Sequence, residues 1–373
     1  MKITRVSATS HVVPVPAPLL HEKQNRAMVF VQVETDEGLT GYGLTGPIQR
    51  HGTREFINRE VARQVIGMDP VDTERIWQKL YLELNPRAQT GVWSSGVSAV
   101  DIALWDIKGK KLGMPVWRLL GGYQNPVPAY ITFGLLEYDI DQLVEVAKGY
   151  VAQGEDKLKM VVAINGANDP MEDARRVRAV RDAIGPKAQL SIDANYLFNF
   201  TDALKLAKLT EGMVEWFEEP IYGNDARLLH DLRMRTSTPI SAGQNEGHRF
   251  RHRELLVNNA VDILQPNVVY CGGYTEGVKI AAMAQAFNLK IANGGGWPHH
   301  NMHLQAAMSN GWRVEFHYLM WKLGEMIYKD PPGPNKGWTT VSDKPGLGLE
   351  PRFDALKEFQ DKLDGGPEPV LHR

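Results

Sequence analysis

The chain has 373 residues, 43% of them hydrophobic and 23% charged, which is typical of a soluble globular protein of two domains. Its net charge of −2 gives no electrostatic reason to expect a nucleic acid or a membrane surface as partner. The single cysteine, Cys271, excludes an internal disulfide, and no leader or membrane-length apolar run is visible, so we expect a cytoplasmic protein.

The first third of the chain does not repeat one unit. Its pattern predicts three strands and then two helices, at residues 2–13, 27–34, 39–43, 72–84 and 97–112. Residues 14–26 form a predicted loop with three prolines and mixed charge. This loop is either an ordinary surface connection or, given its length, a lid over a site.

From about residue 126 the pattern changes to a strict alternation of strands and helices. The eight predicted strands are residues 127–133, 157–162, 189–193, 214–218, 239–243, 262–265, 289–292 and 312–316. Helices are predicted between them, for example at 140–152 and 171–184. A doubly wound sheet could also use eight strands, but the regular spacing and the polar residues at successive strand ends favour a (β/α)8 barrel.

Polar residues end four successive strands of this barrel. Lys159, Asp193, Glu218 and Gln244 are separated by 34, 25 and 26 residues, about one strand-plus-helix unit each. Because the C-terminal ends of parallel barrel strands meet at one mouth, we expect these side chains to converge there. Asp193 and Glu218 supply oxygen ligands suited to Mg²⁺.

A second lysine precedes Lys159 on the same predicted strand. Lys157 and Lys159 are two residues apart, so both side chains point the same way. Although such a pair is usually a solvated strand face, two ammonium groups in a barrel mouth would lower the pKa of one enough for it to act as a general base. Asn195 is placed to donate a hydrogen bond to a bound oxyanion, and Glu219 to make a supporting hydrogen bond.

Several motifs together resemble the enolase superfamily, near its mandelate racemase and acid-sugar dehydratase branch. They are DIALWDIKGK at 101–110, LLGG at 119–122, KLK at 157–159, DAN at 193–195, WFEEP at 216–220 and PGLG at 345–348. The resemblance implies an α+β capping domain at 1–125, a modified (β/α)8 barrel at 126–320, and a segment at 321–373 that packs back on the capping domain. It also implies Mg²⁺ and abstraction of the proton α to a carboxylate through an enediolate, the known chemistry of that superfamily. Lys159, which matches the second lysine of the family motif, is then the expected base.

The chain departs from that family at the expected third metal ligand. Gln244 stands where the resemblance predicts a glutamate. An amide oxygen removes one negative charge, so the ion would bind more weakly and polarise its substrate more strongly. Glu246 could take the position if its loop turns inward.

A further departure concerns the His–Asp dyad that relatives in this branch often carry. Asn267 stands at the aspartate position, where we expect it to bind substrate or loop, and Gly295 stands at the histidine position. The pair His299-His300 follows, and we favour His299 slightly as a replacement acid, with a helix-capping loop as the alternative. Glu315 matches the family glutamate that binds the substrate carboxylate.

The loss of the dyad removes the obvious second base of a racemase. We therefore expect a carbon–oxygen lyase that dehydrates a sugar acid to a 2-keto-3-deoxy acid. Alternatives are a racemase, epimerase or cycloisomerase of a carboxylic acid, or a barrel that binds a carboxylate without catalysis. We expect a small-molecule partner and a homo-oligomer, while no residue pattern specifies which acid is the substrate.

Overall fold

A computed structural model describes residues 1–84 and 90–361. The last part of the predicted C-terminal segment, residues 362–373, lies outside the described residues. Within the described ranges, no helix is both long enough and apolar enough to cross a membrane.

An antiparallel sheet and a set of helices form the N-terminal part. The strands are β1 (Ile3–Val15), β2 (Gln24–Thr35) and β3 (Thr40–Thr45), in that order in the sheet. The helices are α1 (Arg50–Glu55), a π-helical segment (Phe56–Val61), α2 (Ala62–Val65), α3 (Thr73–Leu84), α4 (Val92–Leu112) and α5 (Val116–Leu119). The helical stretch at 50–65 was not predicted, although Ile57, Val61 and Val65 recur every four residues and are buried.

Helix α4 is the centre of this part because it packs directly on β3. A Cβ added to Gly41 would lie 2.1 Å from the Ala103 carbonyl oxygen, and a Cβ added to Gly43 would lie 2.0 Å from the Ala99 carbonyl oxygen. Two glycines on one face of β3 therefore let the helix backbone approach the strand backbone. This contact holds the sheet against the longest helix of the described chain.

Eight parallel strands close into the predicted barrel. They are β4 (Val127–Gly134), β5 (Lys157–Val161), β6 (Gln189–Asp193), β7 (Phe217–Glu218), β8 (Ile240–Ala242), β9 (Ile263–Leu264), β10 (Lys290–Ala292) and β11 (Gly311–His317). Each strand pairs with the next, and β11 pairs with β4, so the barrel is closed. The fold class predicted from the sequence is confirmed.

Helices surround the barrel in the usual alternating order. They are α6 (Ile140–Ala152), α7 (Ile164–Ala167), α8 (Pro170–Ile184), α9 (Phe200–Leu209), a 3-10 turn (Tyr222–Asn224), α10 (Ala226–Arg233), α11 (Arg249–Val257), α12 (Gly273–Ala286), α13 (Pro298–Ala307) and α14 (Tyr318–Ile327). Capping residues mark the N-terminal ends of several helices. The Asp139 side chain accepts a hydrogen bond from the Gln142 backbone N–H, and the Asp169 side chain accepts one from the Glu172 backbone N–H.

The C-terminal segment returns to the N-terminal sheet. It contains β12 (Tyr328–Lys329), β13 (Trp338–Thr339), β14 (Glu350–Pro351) and α15 (Phe353–Glu358). The Asp361 backbone N–H donates to the Ser10 carbonyl oxygen at 2.8 Å, and its carboxylate lies 3.2 Å from the Arg50 guanidinium. The predicted loop at 14–26 is shorter than expected because β1 and β2 extend into it, and the Tyr138 hydroxyl donates to the Pro18 carbonyl oxygen at 2.7 Å.

The close approach of β3 and α4 generates a prediction. Gly43→Ala should lower the free energy of unfolding by about 1–3 kcal/mol, because the new Cβ must push the helix away from the strand. Gly149→Ala is the matched control: Gly149 lies inside α6 with no neighbour within 4 Å of an added Cβ. That substitution should raise the stability by about 0.5–1 kcal/mol. Urea unfolding measures both, and equal effects would contradict the contact.

Candidate active site

Four charged side chains meet inside the barrel at the C-terminal ends of its strands. The Lys159 Nζ lies 2.5 Å from a Glu218 carboxylate oxygen, 2.9 Å from Glu315 and 3.2 Å from Asp193. The strand register explains the convergence, since Val161, Asp193, Glu218 and Ser241 stand side by side on β5 to β8. All four charged residues are buried. The structure thus brings together the predicted lysine and three of the predicted acids.

Lys159 lies in a strongly negative environment. Burial acts to lower its pKa, but the summed attraction of Glu218, Glu315 and Asp193 raises the pKa well above its ordinary value. The Tyr130 ring also contacts the ammonium, with its centroid 5.4 Å from Nζ. The sequence-based expectation that a neighbouring lysine lowers this pKa is wrong.

Lys157 does not enter the mouth. Its Nζ bonds to Asp156 at 2.6 Å and lies near Gly337, which immediately precedes β13. That short strand pairs with β4 at Val127 and Pro128, at the opposite end of the barrel. Two residues along a strand span about 6.6 Å, so Lys157 and Lys159 point the same way but lie at different depths along the barrel axis. The prediction that Lys157 belongs to the catalytic group is therefore corrected.

The cluster carries more negative than positive charge. Three carboxylates surround one ammonium, which leaves a net charge of −2 when all are ionised. Burial, followed by the neighbouring Asp193 and Glu315, raises the pKa of Glu218 well above its ordinary value, and Lys159 opposes that shift. Buried charge of one sign is strongly unfavourable without a partner. The cluster therefore has room in its charge balance for a divalent cation.

Gln244 provides an uncompensated acceptor next to these carboxylates. Its Oε1 is buried without a hydrogen-bond partner. A Cβ added to Gly294 would lie 2.6 Å from this oxygen and 2.7 Å from a Glu218 oxygen, so the two oxygens face one small space that glycine leaves open. Oxygen donors of this type fit Mg²⁺.

The orientation of Gln244 is set by the residue after Glu218. The Gln244 Nε2 donates to Glu219 at 2.7 Å, which turns Oε1 toward Glu218. Glu219 also accepts from Asn224 at 3.0 Å, as its predicted supporting role requires. Glu246, the alternative ligand, instead bonds to Arg251 at 3.0 Å. In residues 1–84 and 90–361, no group of three His, Cys, Asp or Glu side chains has an arrangement that could hold a metal ion.

Glu315 is fixed at the end of β11. It accepts hydrogen bonds from the Thr132 hydroxyl at 2.5 Å, the Gly296 backbone N–H at 2.6 Å and Lys159. Burial acts to raise the pKa of Glu315, while Lys159, His317 and the hydrogen bonds lower it below its ordinary value. A rigid carboxylate is thus held against the ammonium.

The two predicted asparagines differ in their surroundings. Asn195 lies just past β6, where its backbone N–H donates to Asp193 at 2.9 Å with φ at 46°. Asn267 has a partner in the protein at each of its two polar atoms. Its Nδ2 donates to the Gly294 carbonyl oxygen at 2.8 Å, and its Oδ1 accepts from the Val269 backbone at 3.0 Å and from Asn301 at 2.9 Å. Asn267 therefore holds the glycine loop, which is one of the two roles expected for it, and binding of substrate by this residue stays a prediction.

His299 lies outside the barrel lumen. It is buried in α13, and its ring packs edge-on against Phe316 at 6.4 Å and against Tyr328 at 6.3 Å. Phe316 faces outward because its neighbour on β11, Glu315, faces the lumen. The predicted loop is a helix that begins at Pro298, which turns both histidines into the helical layer. The proposed role of His299 as an acid over the mouth is corrected.

Two residues in the mouth were missed by the sequence reasoning. His317 ends β11 two residues beyond Glu315, so strand alternation places it on the lumen side. Arg26, at the start of β2, is close enough to influence the pKa of His317. The signal for His317 was present in the sequence as a polar residue spaced by two from Glu315. Arg26 belongs to residues 14–26, which the sequence left open as a lid, but no signal singled out this residue within the stretch.

Comparisons with known proteins identify the family. Residues 2–121 match the family described as mandelate racemase / muconate lactonizing enzyme, N-terminal domain, and residues 142–355 match the family described as enolase C-terminal domain-like. The chain belongs to the mandelate racemase / muconate lactonizing enzyme family. The resemblance inferred from the motifs is thereby confirmed.

Individual relatives cover nearly the whole chain. D-galactarolactone cycloisomerase of Agrobacterium fabrum is 33% identical over 90% of this chain and 92% of its own. Arabinonate dehydratase of Saccharolobus solfataricus is 30% identical over 90% and 91%. The crystal structure of L-talarate dehydratase from a Polaromonas species, complexed with Mg and L-glucarate, is 30% identical, with a TM-score of 0.86 over 97% of this chain and 98% of that one.

The burial of His299 predicts a measurable pH dependence. Burial lowers its pKa from 6.5 to about 4, so between these values the unfolded chain binds a proton that the folded chain does not. Stability should therefore fall as pH decreases from 6.5 toward 4. His299→Gln should make this decline shallower, by up to about 1.4 kcal/mol per pH unit. Urea unfolding at several pH values tests this, and an unchanged slope would contradict it.

Proposed function

We propose that this protein dehydrates a sugar acid to a 2-keto-3-deoxy acid, by removing the proton α to the carboxylate in a Mg²⁺-dependent reaction. The observation that carries the proposal is the buried group of one ammonium, three carboxylates and one orphaned amide oxygen at the barrel mouth. Relatives named arabinonate, galactonate and L-talarate/galactarate dehydratase support the same chemistry.

Asp193, Glu218 and Gln244 are proposed to hold the ion. Structures of a Streptomyces coelicolor racemase and of the Polaromonas dehydratase contain magnesium, which supports this choice of metal. When bound, Mg²⁺ supplies positive charge that stabilises the enediolate form of the substrate carboxylate. Three protein oxygens leave room for substrate, as a catalytic site requires.

Lys159 is proposed to remove the α-proton. It is the lysine whose Nζ contacts Asp193, Glu218 and Glu315 together. Once Asp193 and Glu218 share their charge with a cation, they attract the ammonium proton less, which favours the neutral amine that abstraction needs. Glu315, fixed by Thr132 and Gly296, is proposed to bind the substrate carboxylate, and it does so in its protonated form, which the added negative charge of the substrate favours. Asn195 is proposed to bind the developing oxyanion.

A second candidate activity is cycloisomerisation or racemisation. The 33% identical relative named as a cycloisomerase favours it, because the two reactions share the same first proton transfer. A barrel that only binds a carboxylate is the non-catalytic alternative.

The test is an assay of arabinonate, D-galactonate, L-talarate and galactarate for 2-keto product and for exchange of the α-proton with deuterium. Exchange of the α-proton without 2-keto product favours the second candidate. The absence of both exchange and product favours the non-catalytic binder. We propose a small-molecule acid as the partner of this protein, and we expect the protein to assemble as a homo-oligomer.

The metal assignment generates a prediction about Gln244. Gln244→Leu should weaken Mg²⁺ binding at least about tenfold, because one oxygen donor is lost. Gln244→Glu should strengthen binding, and should also lower stability in EDTA because two carboxylates, Glu219 and the new one, then face each other. Isothermal titration and thermal melts measure these effects. The exposed Gln153→Leu serves as control and should change neither.

The base assignment generates a prediction about Lys159. Lys159→Met should abolish α-proton exchange, and Lys159→Arg should do the same although it keeps the positive charge, because a guanidinium does not release its proton. Rates of exchange in D₂O measure this, with Mg²⁺ affinity and thermal stability as controls on the fold. Exchange that survives in the arginine variant would show that Lys159 acts only as a charge partner.

A further inference from the structure

His317 occupies the last lumen-facing position of β11. Three alternate residues of this strand face inward, and they mark three depths. Arg313 bonds to Glu215 at 2.8 Å near the N-terminal end, Glu315 contacts Lys159 in the middle, and His317 follows at the C-terminal end. His317 stands beside Thr132 of β4, the residue that holds Glu315. It is therefore one layer above the charged cluster, at the entrance to the mouth.

The His317 imidazole has an unused nitrogen. Its Nδ1 is buried without a hydrogen-bond partner. The charged groups that influence the ring are Glu315, Lys159, Asp193 and Arg26, all of which lie at the mouth. His299 and His300 also have one orphaned nitrogen each, but their rings contact Phe316 and Tyr328 in the helical layer. His317 thus combines an unused nitrogen with the surroundings of the cluster.

The glycine run at 294–296 makes space for this side chain. A Cβ added to Gly296 would lie 3.3 Å from the His317 Cβ and 2.7 Å from the Met320 side chain. The Gly296 backbone N–H meanwhile binds Glu315, so the run lies directly against the end of β11. Where the family resemblance implies a dyad histidine, the loop after β10 carries glycines, and an imidazole from the adjacent strand stands next to them.

We propose that His317 is a catalytic residue that gives a proton to the departing β-hydroxyl of the sugar acid. The inference rests on the proposed function, because it needs an enediolate from which the hydroxyl can leave. The Cβ–O bond breaks and its electron pair leaves with the oxygen. That oxygen takes the proton from the imidazolium Nδ1 and departs as water, while the enediolate electrons form the new Cα–Cβ double bond. The enol product then becomes the 2-keto-3-deoxy acid.

The charges at the mouth support this role. In the ligand-free protein, burial lowers the pKa of His317 to about 4, although Glu315 acts to raise it. A bound sugar acid adds a carboxylate and an enediolate at the cluster, and nearby negative charge favours the imidazolium. Bound substrate therefore shifts the imidazole toward its protonated form.

The test compares His317→Asn with wild type on two forms of one substrate. The first is whichever of arabinonate, D-galactonate, L-talarate and galactarate the wild type dehydrates fastest, and the second is the same acid with fluorine in place of the β-hydroxyl. His317→Asn should dehydrate the natural acid at least about 100-fold more slowly. It should keep α-proton exchange and should release fluoride at close to the wild-type rate, because fluoride leaves without a proton. His230→Asn, on α10 at the outer surface of the barrel, is the control and should leave all three rates unchanged.

Each other outcome overturns the inference. Normal dehydration by His317→Asn would show that another group supplies the proton, while the proposed function would stand. Equal loss of exchange, fluoride release and dehydration in a variant that melts at the wild-type temperature would assign His317 to substrate binding. If His317→Asn does not fold, His317→Gln is measured in the same way. A wild-type chain that neither exchanges nor dehydrates any of the four acids would overturn the proposed function and this inference together.

Discussion

The contact of one ammonium with three buried carboxylates is the interaction on which the rest of the site depends. Taking these groups out of water is unfavourable by several kcal/mol per ion, so each must be paired and held in place. Lys159 pairs with Asp193, Glu218 and Glu315 at 2.5–3.2 Å. The surplus of negative charge then makes the group a receptor for a cation. Stability and chemistry at this site therefore have the same electrostatic origin.

Buried polar side chains around the cluster fix the directions of its acceptors. Glu219 and Asn224 orient the Gln244 amide from one side, while Gln265 donates to Glu218 at 2.8 Å from another. Asn267 fastens the glycine loop through its carbonyl oxygen. Because these surrounding side chains are buried and hydrogen-bonded, the Gln244 and Glu218 oxygens cannot turn away from the space beside Gly294 that they both face. At Gln244 the amide nitrogen is therefore held by Glu219, while the oxygen is left open toward Glu218.

The N-terminal part contributes to the mouth through a few long-range contacts. The Thr45 hydroxyl donates to the Val269 carbonyl oxygen at 2.8 Å, and the Trp77 indole donates to the Gly272 carbonyl oxygen at 3.0 Å. The Tyr270 hydroxyl, which accepts from Trp297, lies where a side chain on Gly46 would stand. The N-terminal part is therefore packed directly against the loops that follow β9 and β10.

Much of this arrangement was determined by the sequence alone. The alternation of strands and helices predicted the barrel, and the spacing of Lys159, Asp193, Glu218 and Gln244 predicted that they converge. Both follow from local periodicity, because the ends of parallel strands must meet at one face. Glu219 was likewise assigned its supporting contact from its position beside Glu218.

The tertiary structure decided the questions of depth, direction and competing partners. Lys157 and Lys159 share a direction, but a strand rises about 3.3 Å per residue, which separates them along the barrel axis. Asn267 suits either substrate or loop by its chemistry, and only the structure shows that its amide bonds to the glycine loop and to Asn301. His299 follows a glycine run, but a helix starting at Pro298 turns it into the outer layer, and His317 from the next strand faces the mouth instead. These outcomes depend on which atoms from distant segments lie in contact with a residue in the folded protein, and no local pattern contains that information.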